Sequence, residues 1–463
     1  MFSIQQIGNV WVNFFNESLQ NILSQDISLV QLSQKLEQLV NQTGGEVLKA
    51  LLEQADAAIY AAIKPEHRYQ VKAHRSRTLT TLWGDVTFPR TYYQDKTDSS
   101  YHYLLDEWLG LDKSTHIEPF CRARLVARSA DVSYRKAVAL TTPASLSGQS
   151  VLQSIRKLGT IPNQAAVMPE AKPEIHKVYV EADEDHVAMQ KGHAKEMKLI
   201  NVYETKVPVC QGRRKLCGRR TFSGWDAPSR LWPAVNQYIQ QIYGTEQMPE
   251  VVIKGDAAAW IKSGTEYIWN STHVVDGYHA SQYLRKIAGK GTSTALYDAL
   301  RANDREAFVK EVQRKLRKSP QRDKAIRSGY QYIMANWEGI HKALTQPDAA
   351  SSTEGHVSHM LSDRLSSRCM GWSPIGAEQI ARMRTYIANG GNLEAYARQQ
   401  FTAHRQTRKP EANQDILKKE WSRRKLPYCT YVPDETAHMP GHESTLTGKW
   451  MRLIENGGYQ HIM

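Results

Sequence analysis

Carboxylates cluster in one apolar stretch of the chain, and buried carboxylates are suited to chemistry. Residues 178–190 read VYVEADEDHVAMQ, which has the valines of a buried strand and four acidic residues, Glu181, Asp183, Glu184 and Asp185. Isolated carboxylates are unfavourable there unless a cation neutralises them or one group stays protonated. The stretch is therefore a candidate for a metal or acid–base site.

A second stretch repeats the same arrangement. VYVEAD ends at Asp183 and VVIKGD ends at Asp256, each with a short apolar run, two spacer residues and an aspartate. If the two strands are adjacent and parallel, Asp183 is level with Asp256, whereas Asp185 lies roughly 6–7 Å further along. Hard oxygen ligands select Mg²⁺ or Mn²⁺, and two such ions could support an in-line displacement at phosphorus.

Glu354 is the candidate for a third ligand because it begins a patterned helix after a charged helical segment. Each of these residues also has a simpler interpretation. Asp183 or Asp256 taken alone is more typical of a turn or a helix cap, and Glu354 could simply favour the positive end of a helix. His279 is a candidate general acid or phosphate contact, and Asp276 a candidate supporting residue.

The elements around these residues predict an α/β fold. KVYVEAD, MKLINVYETKV and RRKLCGRRTFSGW read as three strands of an antiparallel meander, and EVVIKGD and THVVDGYH as two further strands followed by helices. This order predicts a mixed five-stranded sheet with helices on both faces. The charged residues 290–345 predict a helical insertion.

The segments before the sheet are mainly helical. Residues 10–63 predict two helices separated by NQTGG, and these could pack on their own domain or form a coiled coil between subunits. TLTTLWGDVTFPRTYY predicts a β-hairpin. Residues 118–160 are compatible with a helix-turn-helix in which Ser147 caps the second helix and Gln149 and Arg156 face DNA.

The composition favours a polyanionic partner and a reducing compartment. The chain has 463 residues and a formal charge of +13, with basic runs such as QGRRKLCGRR and KKEWSRRK. Its five cysteines form no CxxC pair, which argues against a zinc ribbon and a disulfide framework. No apolar run is long enough to span a bilayer, and no basic segment precedes the N-terminal apolar stretch. A cytoplasmic protein without membrane contact is expected.

Several segments resemble, in order and spacing, those of ISLre-type bacterial insertion-sequence transposases, and their layout is similar to that of Mutator-like DDE transposases. They are YVEADEDHVAMQ, KGDAAAWIK, VVDGYHASQYL and EGHVSHMLSDRLSSRCMGW. The resemblance implies an RNase H-like domain with catalytic and metal-binding residues Asp183, Asp256 and Glu354. It also implies cleavage and strand transfer at terminal inverted repeats and target DNA by a homodimer or higher oligomer associated with the nucleoid.

The predicted organisation has six parts: N-terminal helices and a hairpin (1–112), a helical DNA-binding region (113–170), the first part of the catalytic core (171–289), the insertion (290–345), the final core helices (346–400) and a basic tail (401–463). Two alternatives stay open. One is an RNase H-like nuclease or resolvase without strand transfer, and the other is a non-catalytic DNA-binding protein. A glycosidase with paired carboxylates is disfavoured by the positive charge.

Overall fold

The computed structural model describes residues 4–210, 213–244, 246–346, 353–367 and 370–402, so the predicted basic tail lies almost entirely outside the described residues. In these ranges the strands form a three-stranded sheet, a five-stranded sheet and a two-stranded ribbon. The strands are β1 (Tyr69–Thr81), β2 (Gly84–Asp95), β3 (Tyr101–His102), β4 (Lys177–Val187), β5 (Lys195–Tyr203), β6 (Thr205–Cys210), β7 (Arg213–Cys217), β8 (Arg220–Gly224), β9 (Glu250–Gly255) and β10 (Ser271–Val275).

Helices precede, follow and interrupt these strands. They are α1 (Ile4–Leu23), α2 (Leu29–Ile63), α3 (Leu104–Leu109), α4 (Pro119–Ser129), α5 (Tyr134–Ala139), α6 (Gly148–Leu158), α7 (Pro228–Tyr243), α8 (Ala259–Lys262), α9 (Gly264–Tyr267), α10 (Gly277–Ala288), α11 (Thr294–Arg301), α12 (Arg305–Lys318), α13 (Asp323–Ala335), α14 (Trp337–Thr345), α15 (Thr353–Val357), α16 (Asp363–Leu365), α17 (Pro374–Ala388) and α18 (Leu393–Thr402). A π-helical turn, Ser358–Ser362, joins α15 to α16. Within the described ranges, none of the helices is both long enough and apolar enough to span a bilayer.

The predicted break at NQTGG is wrong, because α2 continues through Gly44 and Gly45. Glycine inside a helix costs roughly 1 kcal/mol relative to alanine, so a tertiary contact must offset that cost. A Cβ atom on Gly44 would lie 2.5 Å from Cδ1 of Trp83. The missing side chain therefore lets the indole of the β1–β2 turn pack against the helix.

The predicted β-hairpin is confirmed. β1 and β2 pair antiparallel from Tyr69↔Asp95 to Thr81↔Gly84 around a turn that contains Trp83. Phe88 and Tyr93 on β2 are fully buried in a cluster with apolar residues of α2. The amphipathic C-terminal half of α2 thus covers one face of this small sheet.

The five-stranded sheet has the order β10-β9-β4-β5-β8. β4, β5 and β8 pair antiparallel, as the meander predicts, and β9 and β10 add in parallel on the other side of β4. Two of the predicted strands are each divided in two, because β6 and β7 form a ribbon of their own between β5 and β8. Gly218, with a φ of +61°, lies where the chain leaves the ribbon and returns to the sheet.

Helices cover both faces of this sheet. On one face, Val178, Val180 and Ala182 of β4 share a core with α7. On the other, Val187 of β4 and Leu199 of β5 share a core with helices α4, α6, α17 and α18. Residues 294–345 are helical, as the predicted insertion requires, and α10 to α14 enclose a separate apolar cluster.

Candidate functional site

The two aspartates singled out by the sequence lie level with each other on neighbouring strands. β4 and β9 pair in parallel from Lys177↔Glu250 to Glu181↔Lys254. Continued by two residues, the same register places Asp183 opposite Asp256. The predicted adjacency, direction and register of the two strands are therefore confirmed.

Asp183 lies within β4 and not at its end, which corrects the expectation from the sequence. β4 continues in antiparallel pairing with β5 as far as Val187↔Lys195, whereas β9 ends at Gly255. A Cβ atom on Gly255 would lie 2.5 Å from the carbonyl oxygen of Ala182. The absence of a side chain at Gly255 therefore allows the end of β9 to approach β4 closely. Asp256, the next residue, lies beside Asp183.

The environment of Asp183 disfavours its charged form. Burial and the nearby negative charges of Glu184 and Asp256 raise the pKa of Asp183 to about 7. The hydrogen bond from the Glu184 N–H and the nearby His279 lower this pKa, but their effect is smaller. The Glu184 N–H donates to Asp183 Oδ1 over 2.9 Å. The two aspartates are thus close enough to repel each other, and His279 lies near them.

Asp256 also has the turn role that the simpler interpretation gives it. Its Oδ1 accepts a hydrogen bond of 2.7 Å from the Ala258 N–H, and its carbonyl oxygen lies 3.2 Å from His273 Nε2. Burial raises the pKa of the Tyr332 phenol in α13, and the nearby negative charge of Asp256 raises it further. The helical insertion therefore reaches the same edge of the sheet.

Glu184 lies close to Asp183 and Asp256, although no pattern in the sequence distinguishes it from the other acidic residues of this strand. Its Oε2 accepts a hydrogen bond of 2.7 Å from the Trp260 indole N–H. Burial raises the pKa of Glu184, and the charge of Asp256 adds to that effect. The signal was present in the sequence only as one of four acidic residues in the same strand.

Asp185 connects β4 to the helices that follow the insertion. The carboxylate is buried, and its Oδ1 accepts hydrogen bonds from the hydroxyls of Ser362, at 3.1 Å, and Ser366, at 2.9 Å. Among the described residues, its buried Oδ2 has no hydrogen-bond partner. Asp185 thus lies on the same face of β4 as Asp183 and holds the π-helical turn against the strand.

Glu181 lies on the same face of β4, two residues before Asp183, and connects β4 to α15. It is fully buried; Lys206 Nζ lies 2.6 Å from Oε1, and His356 Nδ1 lies 3.0 Å from Oε2. Although burial opposes ionisation, hydrogen bonding to His356 and the charge of Lys206 hold the pKa of Glu181 at about 2. This contact ties α15 to β4, and sequence reasoning did not identify it.

The structure locates three further candidates from the sequence: Glu354, Asp276 and the loop at 191–193. The backbone of Glu354 lies in α15, in agreement with the predicted helix, but its side chain lies outside the described part of the chain. Asp276 caps α10 by accepting a hydrogen bond from the Tyr278 N–H, a structural role. The loop after β4, which carries the KGH sequence at 191–193, is exposed.

A second group of possible metal ligands lies in the small sheet. Ligand atoms of Asp95, Asp98 and His102 are within 4.8 Å of one another, so the group could hold a metal ion. Each member also has a protein partner. Arg68 Nη2 lies 2.6 Å from Asp95 Oδ2, and the Ser100 hydroxyl bonds both Asp98, at 2.6 Å, and His102, at 2.6 Å. These contacts account for the geometry without an ion.

The predicted helix pair is present in residues 118–160. Ser147 caps α6 by accepting from the Ser150 N–H, as expected, while Gln149 and Arg156 are exposed. Val151 and Ile155 on the opposite side of α6 are fully buried in the core shared with α17. The helix pair thus shares its core with the helices that cover one face of the five-stranded sheet, and DNA contact by its exposed side stays a prediction.

The chain belongs to UPF0236, an uncharacterised protein family whose model matches residues 22–400. It is 31% identical over 398 residues to UPF0236 protein TTE2489 of Caldanaerobacter subterraneus subsp. tengcongensis, covering 82% of this chain and 84% of that protein. A second relative from the same strain, whose name joins eleven locus designations from TTE0033 to TTE2212, is 31% identical over 397 residues, covering 82% of this chain and 83% of its own length. The family is widely repeated in Caldanaerobacter genomes.

Among solved structures, the chain is similar to a chain of the Drosophila P element transposase strand transfer complex. The identity is 11%, the TM-score is 0.22, and the likeness covers 68% of this chain and 87% of that chain. A similarity at this score is too weak to define the fold.

Proposed function

We propose that this protein is a DDE transposase that cleaves the ends of an insertion sequence and joins them to target DNA. The observation that carries the proposal is the register that sets Asp183 level with Asp256 at the edge of a mixed sheet. Three antiparallel strands followed by two strands parallel to the first support the RNase H-like class that the sequence resemblance implies. A family repeated many times in one genome is what a mobile element produces.

The carboxylates suit a divalent cation. Asp183 and Asp256 offer hard oxygen ligands, and burial together with the negative charges of Glu184 and Asp256 raises the pKa of Asp183. We assign Asp183, Asp256 and Glu354 as the metal ligands. Two Mg²⁺ or Mn²⁺ ions bound there would increase the acidity of a water molecule and stabilise the leaving oxygen.

The contacts of β4 give its other acidic residues a positioning role. Glu181 holds α15 through His356, and Asp185 holds the turn after α15 through Ser362. Between these two anchors, the helix that carries Glu354 lies along the face of β4 that carries Asp183. His279, close to Asp183, is suited to contact the scissile phosphate or to transfer a proton.

The reaction consists of two displacements at phosphorus. First, a water oxygen bonds to the phosphorus at the element end while the bond to the 3′ oxygen breaks, and that oxygen takes a proton to become a free 3′-hydroxyl. Next, this hydroxyl oxygen bonds to a phosphorus of the target strand while a target phosphodiester bond breaks. The first step hydrolyses one phosphodiester bond. The second exchanges one phosphodiester bond of the target for the bond that joins the element to it, while the attacking hydroxyl gives up its proton and the released target oxygen takes one.

Double-stranded DNA is the partner of the proposed reaction, and the charge of +13 favours its binding. The exposed side of α6, with Gln149 and Arg156, is the proposed reader of the element ends. Lysine and arginine contacts to phosphate supply most of the binding free energy, so loss of a metal ligand should leave binding nearly intact.

The test uses duplex DNA with the sequences that flank this reading frame and a supercoiled target, in Mg²⁺. The wild-type protein should nick the element end and join it to the target. Asp256→Ala and Glu354→Ala should bind the same DNA and do neither. Cleavage without joined product would support a nuclease or resolvase instead, and full activity of either variant would refute the assignment of the ligands.

A further inference from the structure

One flank of α1 is apolar and uncovered. The side of the helix that carries Ile7 and Ser18 is buried, and α2 is in contact with α1. A neighbouring stripe is 38–75% exposed and consists of Trp11, Val12, Phe15, Leu19, Ile22 and Leu23. At about 100° per residue, these six side chains fall within one arc of roughly 120°. They form a continuous apolar face that no described residue covers.

The first part of α2 has a similar stripe. Leu39 and Thr43 are buried, and α1 lies alongside this part of α2, where Lys35 Nζ is 3.9 Å from Glu17 Oε1. Beside them, five side chains with 41–77% exposure lie within about 60° of one another around the helix: Leu29, Leu36, Val40, Val47 and Leu51. Val30, which is 67% exposed, lies outside this line, and the other exposed large apolar residues of this part of the helix follow it.

The two stripes lie on the same side of the helical hairpin. A short turn, residues 24–28, joins α1 and α2, so the helices are antiparallel neighbours. On each helix, the exposed stripe is rotated in the same sense, by roughly 70–100°, from the line of buried residues. Because the helices run in opposite directions, rotations of the same sense bring both stripes to one side. We call these eleven side chains the hairpin face.

The hairpin face is as large as one side of a stable dimer interface. A fully exposed aliphatic or aromatic side chain presents about 100–200 Å² of apolar surface, so eleven at these exposures present roughly 800 Å². Apolar patches on monomers are about 300–600 Å² at most, and a standard interface buries about 800 Å² on each partner.

The charge of the hairpin indicates what covers this face. Residues 4–51 contain Lys35 and Lys49 but four acidic residues, a net charge of −2 in a chain of +13. α1 has no lysine or arginine, so the face suits neither DNA nor a membrane surface, both of which require basic residues on the binding helix. An uncharged apolar face is complementary to itself, which is the requirement for a two-fold interface.

We propose that the hairpin face joins two copies of this chain, whose α1–α2 hairpins pack face to face as a four-helix bundle. The proposal depends on the surface of residues 11–51 and not on the catalytic proposal, so either can fail alone. Its consequence is a dimer with one Asp183–Asp256 site in each protomer.

The test is sedimentation of the full-length protein at about 1–50 µM, the range in which an interface of this size is populated. The double variant Phe15→Glu, Leu36→Glu places charge on the hairpin face. Its matched control, Asn13→Glu with Gln38→Glu, adds the same charge to exposed positions elsewhere on the same two helices. The wild type and the control should be dimers, and the face variant should dissociate with a Kd raised more than about 100-fold.

A third variant guards against misfolding. Leu51→Glu changes a residue that is 57% exposed at a point where α2 is already held by the β1–β2 hairpin, so the fold should tolerate it. Alone, it should raise the dimer Kd about 10-fold or more without changing helical content by circular dichroism. A monomeric wild type, a face variant that stays dimeric, or equal dissociation of the control would overturn the proposal.

Discussion

Replacing Asp183 with asparagine should stabilise the metal-free protein, because the native carboxylate is held in a site that resists ionisation. The pKa of Asp183 is about 7 in the folded protein and 3.8 in the unfolded chain. The folded state therefore keeps a proton between about pH 4 and 7 that the unfolded state has lost. Stability falls as pH rises through this window, and the full penalty is present above pH 7.

The size of the effect follows from the difference in pKa. About three pKa units correspond to about 4 kcal/mol at pH 8, and the dependence within the window is about 1.4 kcal/mol per pH unit. Asparagine has no proton to lose, and its side-chain oxygen can still accept the hydrogen bond from the Glu184 N–H. The stability gained by Asp183→Asn should thus be small near pH 4 and largest at pH 8.

The assay is urea unfolding with chelator present, at each unit from pH 5 to 8, for the wild type, Asp183→Asn and the exposed control Asp298→Asn. The difference between Asp183→Asn and the wild type should grow with pH, while the control should follow the wild type. Adding Mg²⁺ at pH 8 should stabilise the wild type and narrow the difference. A difference that is independent of pH, or a destabilised variant at pH 8, would refute the electrostatic reasoning.

Three further outcomes are expected. In cleavage with Mg²⁺ at equal amounts of folded protein, Asp183→Asn should be inactive and Asp185→Asn impaired but measurable; the reverse order would contradict the register. Arg156→Ala should reduce the ratio of affinities for element-end and random DNA at fixed salt, and an unchanged ratio would make α6 merely structural. Gly44→Ala should destabilise the protein by about 1–3 kcal/mol through overpacking, whereas Gly8→Ala, with open space around it, should be neutral or stabilising by up to about 1 kcal/mol; thermal unfolding of both checks this.

The sequence was sufficient to predict the strand register because equal spacing from the first apolar residue to each aspartate is a local pattern. It could not predict that β4 continues past Asp183, because that extension depends on pairing with β5 and not on β9. The division of the second and third predicted strands was missed for a similar reason. The residues of β6 and β7 have the alternating pattern of a strand, so each segment reads as a continuation of the neighbouring strand in the five-stranded sheet. Their pairing with each other is a tertiary choice.

The contacts that hold the candidate site were the least predictable part. Glu181 and His356 are 175 residues apart, and no local pattern links them. Gly44 looked like a helix breaker because propensity carries no information about Trp83, which reaches it from the β1–β2 turn. Helical periodicity predicts a helix in this part of the chain, but only the structure separates the buried from the exposed apolar residues of α2.

Divalent-metal binding by the wild type and three variants tests the central claim most directly, and Mn²⁺ can be followed by titration calorimetry and by its electron paramagnetic resonance signal. The wild type should bind Mn²⁺, and Asp183→Asn and Asp256→Asn should each lose that binding while remaining folded. Asp98→Asn, which alters the other candidate ligand group, should bind as the wild type does. If Asp98→Asn loses the ion and the other two variants bind it with wild-type affinity, the Asp183–Asp256 pair is not the metal site.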